Sequence, residues 1–457
     1  MSNNLIYKTQ CELQNELDNY KQLVSDVLAI AKRKGATDVE VEASLSDGVS
    51  IEVRKGDIDK LEFNRDKGIG ISVYLGKASA SVSSSDTNIK SLESTIDHAI
   101  ALAKVMEADE YSGIAEKELL AFDYNNIDLD LYHPWDVSIE SLIDLAKDCE
   151  KKAFELDKRI VNSDGSFVNT FSGLSVYGNS NGFIGSDMAS RHSHGVSLIA
   201  KENEDMQTDY WSTVSRSPKN LQAIDIIAKK AVERTASRLG AKKISTRKTP
   251  VIFNFSTAKT LIGSFLGAIS GGALYRGASF LLNQKGNQVF SDKITLVEKP
   301  HLLQGLGSAA FDGDGVRTKE KVLVDKGILN GYLLSCYSAR RLGMQTTGNA
   351  GGVHNLHIDL PNDAKSFDEL VKELHNGIII TDLMGQGINT ITGDYSQGAF
   401  GYMVENGKIT YPVREITVAS NLKDMYKNIM SIGSDVDTRG NVQIGSLLID
   451  NMMVASN

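Results

Sequence analysis

The eight histidines of this chain are the side chains from which a metal-binding site would most readily be built. His192 and His194 are two residues apart, so on a β-strand both imidazoles would project from the same face and could chelate one ion. His354 and His357 are three residues apart and would lie on opposite faces of a strand, although a glycine-rich loop before them could bring the rings together. Each pair is a candidate metal site, but a structural role, such as a solvated strand face for the first pair, accounts for it equally well.

The sequence lacks short motifs that would assign a reaction to these residues. No histidine is followed by a glutamate, so the HExxH motif of zinc hydrolases cannot be assembled. The glycine-rich segment 267–277 matches neither common phosphate-binding pattern, and residues 384–387 (MGQG) are interpreted as a tight turn. The three cysteines show no CxxC or zinc-type spacing, and Cys149 lies on an apolar helical face, which predicts a buried thiol.

Helical and strand periods alternate along the first half of the chain. Apolar residues recur at helical spacing in four segments: residues 21–34, 88–104, 139–154 and 218–240. Between these segments apolar and polar residues alternate, with glycines as punctuation, which predicts antiparallel meanders over residues 39–75 and 160–213. We therefore expect two helix-and-meander units, residues 20–120 and 121–241.

The rest of the chain, residues 242–457, predicts a β-rich domain of mostly antiparallel strands. A strand over residues 251–255 leads to Ser256, which we expect to cap the N-terminus of a helix through the apolar stretch that follows. Many short alternating segments come next, and Asn406 and Gly407 between two of them predict a β-hairpin. The predicted fold class is α+β, with N-terminal helix-and-meander units followed by this C-terminal domain.

Composition and charge limit the classes of partner. The chain has 457 residues, with 49 basic and 58 acidic side chains and a formal net charge of −9. This balance argues against nucleic-acid binding, which usually needs a basic surface, and the basic residues at 242–248 are interpreted as a solvated linker. The apolar stretch 261–275 is too short to cross a bilayer, and the polar residues 1–19 carry no signal-peptide pattern. We expect a cytoplasmic protein.

Several blocks of the C-terminal domain closely resemble the signature of the TldD/PmbA family. Their order and spacing are highly specific, and the resemblance covers nearly the whole chain. The blocks are residues 382–387 (DLMGQG), 392–399 (TGDYSQGA), 404–413 (VENGKITYPV), 415–419 (EITVA) and 421–425 (NLKDM). Residues 275–279 (YRGAS) and the turn at residues 35–38 (GATD) also fit.

The resemblance implies a role in peptide hydrolysis. TldD-type chains of this family are zinc metallopeptidases with an HExxxH motif on a helix just before the block that corresponds to residues 275–279, and with a cysteine near the C-terminus. They act as heterodimers with a PmbA-type (TldE) chain, and the pair degrades unfolded peptides. In such a complex the apolar stretch 261–282 would be either a core helix or one wall of an interior that the subunits share.

This sequence departs from the catalytic branch at the zinc ligands. Counting back from Arg276 places Gly263 and Ala268 at the two histidine positions and Ser264 at the glutamate position, while the cysteine position falls at about Thr438. A catalytic zinc site needs three protein donors, and glycine and alanine side chains offer none. The resemblance therefore implies a PmbA-type chain that carries no metal, cofactor or catalytic residue of its own, with zinc in a TldD-type partner.

The expected function is that of a subunit of a metallopeptidase complex that completes the substrate chamber, without catalysis by this chain alone. Tyr275, Arg276 and Asp394 are the candidates for lining that chamber. The partner would be a TldD-type paralogue in a heterodimer, or a second copy in a homodimer, and the substrate an unfolded peptide; we expect neither a membrane nor a nucleic acid. Two alternatives stay open: a peptidase whose site has moved to one of the histidine pairs, and a non-enzymatic regulator of DNA gyrase-directed toxins.

Overall fold

The computed structural model describes residues 10–456, and the first half of this range is built on one sheet. Its strands are β1 (Asp38–Arg54), β2 (Asp57–Leu75), β3 (Ala78–Ser84), β4 (Ile160–Asn179), β5 (Ile184–Glu202) and β6 (Asp205–Ser215). They lie in the order β3-β2-β1-β4-β5-β6, and every neighbouring pair is antiparallel. The predicted antiparallel meanders are confirmed.

The pairing of β1 with β4 joins the two N-terminal units that the sequence predicts. It extends from Glu40 opposite Asn179 to Val53 opposite Ser166, so the sheet continues from the first unit into the second. The predicted boundary at residues 120 and 121 thus lies in the connection between two halves of one sheet. The division of the chain into three domains stays a prediction.

Helices cover this sheet and bury its apolar residues. They are α1 (Gln10–Arg33), α2 (Ile89–Ala103), α3 (Ile139–Leu156) and α4 (Ile224–Ala236). One core lies between α1, α2 and the β1–β4 part of the sheet, and another lies between α3, α4 and β5 and β6. Cys149 of α3 belongs to the second core, which confirms the predicted buried thiol, and burial raises the pKa of that thiol to about 11.

Two of these helices have other bounds than the sequence predicts. α1 begins at Gln10 rather than residue 21, because Leu13 and Leu17 continue its buried stripe at helical spacing; residues 1–9 lie outside the described range. The expectation that Pro218 begins α4 is wrong. Residues Pro218–Asn220 form a 3-10 turn, and the extended backbone at Ala223 delays the helix to Ile224.

The C-terminal half combines short helices with two further sheets. Its helices are α5 (Phe255–Ala268), α6 (Gly271–Tyr275), α7 (Cys336–Arg341), α8 (Phe367–Leu374) and α9 (Leu422–Lys427). Its strands are β7 (Arg247–Phe253), β8 (Leu296–Glu298), β9 (Lys321–Asp325), β10 (Ile328–Leu329), β11 (Leu356–Ile358), β12 (Gly377–Met384), β13 (Asp394–Glu405), β14 (Lys408–Asn421), β15 (Ile429–Ile432), β16 (Val442–Gln443) and β17 (Leu447–Ser456).

The strand orders of these two sheets are β14-β13-β12-β7-β17-β15 and β10-β9-β8-β11-β16. Only β7 with β12 and β11 with β16 pair in parallel among the named strands, so the predicted α+β class with mostly antiparallel strands is confirmed. The predicted hairpin joins β13 to β14. Asn406 and Gly407 have φ values of 52° and 71°, the left-handed pair that a tight two-residue hairpin requires.

α5 carries the apolar stretch that the sequence marks, and its apolar side packs into the C-terminal core. The prediction that Ser256 caps this helix is wrong: the N-cap is Asn254, whose side-chain oxygen accepts the backbone N–H of Thr257 at 3.0 Å. Ser256 lies in the first turn and donates its hydroxyl to the same oxygen at 2.9 Å. No helix within residues 10–456 is both long enough and apolar enough to span a bilayer.

A buried ion pair fixes one loop of the C-terminal half. Glu298, the last residue of β8, is 0% exposed and lies 3.1 Å from the ammonium group of Lys321 on β9. Its carboxylate also accepts from the side chain of Asn349 at 2.8 Å and from the backbone N–H of His354 at 2.7 Å. These bonds hold both ends of the loop 349–354 against the sheet.

Replacing Glu298 by glutamine should lower the free energy of unfolding by about 3–5 kcal/mol, because the largely buried ammonium group of Lys321 would lose its counter-charge. Urea denaturation measures the loss. Asp363→Asn is the matched control, since Asp363 forms an exposed pair with Lys293 at 3.2 Å and should cost less than about 1 kcal/mol. Equal losses for the two variants would contradict the role given to the buried pair.

Candidate functional site

α5 carries three of the positions that correspond to zinc-site residues in the catalytic branch. Gly263 faces open space, since a Cβ atom added there would meet nothing within 4 Å. Ser264 is half-buried and donates its hydroxyl to the carbonyl of Thr260 at 3.0 Å. Ala268, the last residue of the helix, is 0% exposed. Because each helical residue turns by about 100°, positions 263 and 268 point about 140° apart and do not share a face.

Small residues form the solvent side of this helix. Thr260, Gly263, Ser264 and Gly267 recur at spacings of three and four, and we call these four residues the open face of α5. A Cβ atom at Gly267, like one at Gly263, would meet nothing within 4 Å. The helix backbone is therefore accessible along this face, where another chain could approach it closely.

Thr438 lies exposed in the loop between β15 and β16, and its two neighbours hold that loop in place. Asp437 accepts from Lys259 of α5 at 2.8 Å and from Arg439 at 2.8 Å. We call Asp437, Lys259 and Arg439 the Asp437 clamp. Burial alone would raise the pKa of Asp437, but the two cations outweigh it and lower that pKa to about 2. The carboxylate is thus ionised and fixes the loop beside α5.

Tyr275 lines a cavity of about 340 Å³ between α6, α7 and the loop 349–353. Its ring meets the ring of Tyr337 edge to face, with centroids 5.8 Å apart. The guanidinium groups of Arg276 and Arg341 lie 5.3 and 5.1 Å from the centroid of Tyr275. An aromatic wall with two cations beside it can hold the backbone or an aromatic side chain of a peptide.

Asp394 has local partners and does not line this cavity. Its carboxylate accepts from the hydroxyl of Thr392 at 2.7 Å and from the amide of Asn421 at 3.1 Å. These two donors lower the pKa of Asp394, whose charge holds the turn before β13 against the end of β14. The structure thus brings Tyr275 and Arg276 together, whereas Asp394 lies apart, and the assignment of all three to a chamber stays a prediction.

The first histidine pair is buried and hydrogen-bonded within the fold. His192 and His194 lie buried on the same face of β5, as their spacing predicts. Both ring nitrogens of His192 have partners: Nδ1 lies 2.7 Å from the hydroxyl of Thr170 and Nε2 lies 2.8 Å from the carbonyl of His133. Nε2 of His194 lies 2.8 Å from the carbonyl of Gln222. Burial lowers the pKa of both rings, which are neutral supports of the sheet.

The second pair is split between a loop and a strand. His354 lies before β11 with Nε2 3.2 Å from the carbonyl of Gly348, while His357 lies within β11. Burial, and in second place the charge of Lys299, lowers the pKa of His357. In the described part of the chain no three His, Cys, Asp or Glu side chains are grouped in a way that could hold a metal ion.

Residues 178–182 (GNSNG) match the GxSxG pattern of serine hydrolases. That pattern carries a nucleophile when it joins a strand to a helix. Here it connects β4 to β5, and the hydroxyl of Ser180 donates to Asp38 at 3.0 Å and accepts the N–H of Val39 at 3.2 Å. Ser180 therefore fastens a hairpin to β1.

Three domain profiles of one family match successive parts of the chain. PmbA/TldA metallopeptidase domain 1 matches residues 39–103, the central domain matches residues 132–239, and the C-terminal domain matches residues 246–456. The chain belongs to the PmbA/TldD metallopeptidase family. The family resemblance inferred from the C-terminal blocks is thereby confirmed.

Both branches of the family occur among the relatives. The chain is 43% identical to Metalloprotease PmbA of Escherichia coli O157:H7 over 447 residues, with 98% of each chain covered. It is 41% identical to a Metalloprotease PmbA homolog of Buchnera aphidicola subsp. Acyrthosiphon pisum (strain APS), covering 98% of this chain and 99% of the relative. The same strain has a Metalloprotease TldD homolog that is 20% identical, covering 82% of this chain and 80% of the relative.

Solved structures share the fold. A candidate modulator of DNA gyrase from Bacteroides thetaiotaomicron superposes with a TM-score of 0.91 at 28% identity, covering 96% of this chain and 99% of that chain. TldE from Thermococcus kodakarensis superposes with a TM-score of 0.80 at 18% identity, covering 95% of this chain and 100% of that chain. The second likeness concerns the fold alone.

Gly263→His with Gly267→His should bind zinc more tightly than Gly263→His with Ala268→His. Residues four apart share one helix face and can chelate, whereas positions 263 and 268 diverge. A histidine at the buried position 268 should also lower the free energy of unfolding by about 1–3 kcal/mol through overpacking. Competition with a zinc indicator and urea denaturation measure the two effects, with Gly263→His alone as the control. Equal affinity and equal stability in both pairs would contradict the orientation given to α5.

Asp437→Asn should lower the free energy of unfolding by on the order of 2 kcal/mol at pH 7. Since the folded-state pKa of Asp437 is lowered to about 2, the ionised carboxylate stabilises the fold above about pH 4 and loses that effect as the pH falls toward 2. Urea denaturation between pH 7 and pH 2.5 should therefore show the variant and the parent converging at low pH. Thr438→Ala, next to the clamp but uncharged, should give a constant difference. A constant difference for Asp437→Asn would refute the assignment.

Proposed function

We propose that this chain is the PmbA/TldE-type subunit of a cytoplasmic zinc metallopeptidase complex that degrades unfolded peptides. The observation that carries this proposal is the chemistry of α5. Gly263 and Ala268 have no side-chain donor atoms, and Ser264 lacks the carboxylate that would activate water. These residues do not fit a zinc ion, so the ligands and the general base come from a TldD-type partner.

The relatives support such a pairing. One Buchnera strain encodes both a PmbA homolog and a TldD homolog, as two chains that work together require. The solved chain named TldE has the same fold as this one. A heterodimer with a TldD-type chain is therefore the assembly that we propose, and a homodimer of this chain is the other assembly to be tested.

The task of this chain in the complex is to complete the substrate chamber. The open face of α5 offers backbone without large side chains, so an extended peptide can approach it closely. Tyr275 and Arg276, at the end of the next helix α6, would bind that peptide through ring stacking and a positive charge. Asp394 shapes the turn before β13 and would act on the chamber only through that turn.

A second candidate function is regulation of DNA gyrase-directed toxins. It is favoured by the Bacteroides structure, whose 28% identical chain is a candidate modulator of DNA gyrase. The net charge of −9 argues against direct binding of DNA. A gel-shift assay across a salt series tests direct binding of DNA, since binding through phosphate contacts weakens steeply with salt.

Mixing this chain with a TldD-type paralogue should produce hydrolysis of a denatured, fluorescently labelled peptide, whereas this chain alone should show neither hydrolysis nor stoichiometric zinc. Elemental analysis after mild chelation, light scattering and the peptide assay measure these outcomes. The control is the same mixture in which the glutamate of the paralogue's HExxxH motif is replaced by glutamine. One zinc ion per isolated chain, or peptide cleavage that persists in the control, would refute the proposal.

A further inference from the structure

The first part of β2, residues 57–68, is bonded to a neighbouring strand on one side only. On that side β1 pairs with it along its length. On the other side the pairing with β3 reaches no further than Ser84 opposite Ile69, and no other strand within residues 10–456 pairs with this segment. We call residues 57–68 the open edge of β2. A row of unpaired backbone N–H and C=O groups of this length is a template on which another strand can bind.

The open edge carries an apolar row on the helix-covered face of the sheet. Leu61 and Phe63 lie opposite Ile51 and Val49 of β1, and cross-strand partners share one face of a sheet. Ile51 and Val49 are buried under α3, where they pack with Leu142. Leu61 and Phe63, by contrast, are 39% and 65% exposed. The apolar face of the sheet therefore continues beyond the helix that covers it, as far as the open edge.

The alternation of side chains limits the ways in which a second copy of this chain could pair with the open edge. Successive residues of a strand project from opposite faces, so a slip of one residue moves the whole apolar row to the other face. Two identical antiparallel strands keep both apolar rows on one face only when their two-fold axis passes through a residue. The registers that pair most of the open edge are centred on Glu62, Phe63 or Asn64.

Charge distinguishes these three registers. An axis at Glu62 places that carboxylate opposite its own copy, and an axis at Asn64 places Glu62 opposite Asp66. An axis at Phe63 instead places Lys60 opposite Asp66 of the second copy, once on each side of the axis. In the single chain Lys60 lies 2.9 Å from Glu62, but both side chains are about half exposed, so this pair holds the ammonium group only weakly. The register centred on Phe63 is therefore the one in which the charges are complementary.

We propose that the open edge of β2 binds the open edge of a second copy of this chain, antiparallel and with the two-fold axis at Phe63. Two Lys60–Asp66 pairs flank the axis, and the two Phe63 rings meet on it. Leu61 lies opposite Arg65 of the second copy, whose aliphatic stem covers it. The paired segment, residues 58–68, ends where β3 occupies the edge, so this register fits the open length. Both copies use the same surface, as a two-fold dimer requires.

This contact goes beyond the proposed function and does not depend on it. The open edge belongs to the N-terminal sheet, whereas the open face of α5 and the residues assigned to the substrate chamber belong to the C-terminal half. A chain paired with a second copy through β2 still presents that half to a TldD-type chain. The two contacts together would give an assembly with two copies of each subunit.

Sedimentation velocity of the full chain across micromolar concentrations should show a reversible dimer. Lys60→Asp and Asp66→Lys should each raise the dissociation constant on the order of tenfold, because two attractive cross-strand pairs become repulsive. Both substitutions in one chain should restore the dimer, since the two charges are exchanged. An equimolar mixture of the two single variants should also dimerise, because each variant supplies the charge that the other lacks.

The matched control is Lys201→Asp, which makes the same charge change at an exposed position of β5 and should leave the dissociation constant unchanged. Circular dichroism should give the wild-type spectrum for every variant, because the substituted side chains are exposed. A chain that stays monomeric at all concentrations would overturn the proposal. So would a dimer that ignores both single variants, or one that neither the double variant nor the mixture restores.

Hydrogen–deuterium exchange places the contact on the chain. Protection of residues 57–68 should grow with the concentration of the wild-type chain and should be lost in Lys60→Asp. Protection that appears only when a TldD-type chain is added would assign the open edge to that partner and overturn the proposal. Because the isolated chain is sufficient for the first measurement, its outcome is independent of whether the mixture with a TldD-type chain hydrolyses peptides.

Discussion

The Asp437 clamp is the interaction on which the arrangement of the functional region depends. It joins a C-terminal loop to α5 through Lys259, and to β6 through Arg439, which donates to the carbonyl of Ser212 at 3.1 Å and stacks on Trp211. A carboxylate so little exposed stays ionised only with cations close to it, and each cation comes with its own segment. Loop, helix and sheet are therefore fixed relative to one another by a single charge.

The two sides of α5 differ in what they contact. On the buried side Phe265 packs against Phe290 with ring centroids 4.9 Å apart, so the helix cannot rotate without losing core contacts. On the open face Gly263 and Gly267 each cost about 0.5–1 kcal/mol relative to alanine. Nothing in the chain's own packing requires glycine there, because a methyl group would meet no neighbour. The two glycines leave the backbone of α5 open on this face, as the proposed close approach of a peptide or partner would need.

Sequence patterns predict the parts of the fold that are determined by residues close together in the chain. They do not predict the parts that depend on contacts between distant segments. The hairpin needs a left-handed backbone conformation at Asn406 and at Gly407. Asparagine and glycine adopt that conformation readily, so these two residue types are enough to predict the hairpin. Asn254 and Ser256 are both residue types that cap helices well. The position at which β7 ends determines that Asn254 is the N-cap of α5. No local pattern in the sequence indicates that β1 pairs with β4. The positions that correspond to zinc ligands follow from the family resemblance, whereas the burial of Ala268 follows from the tertiary packing of α5.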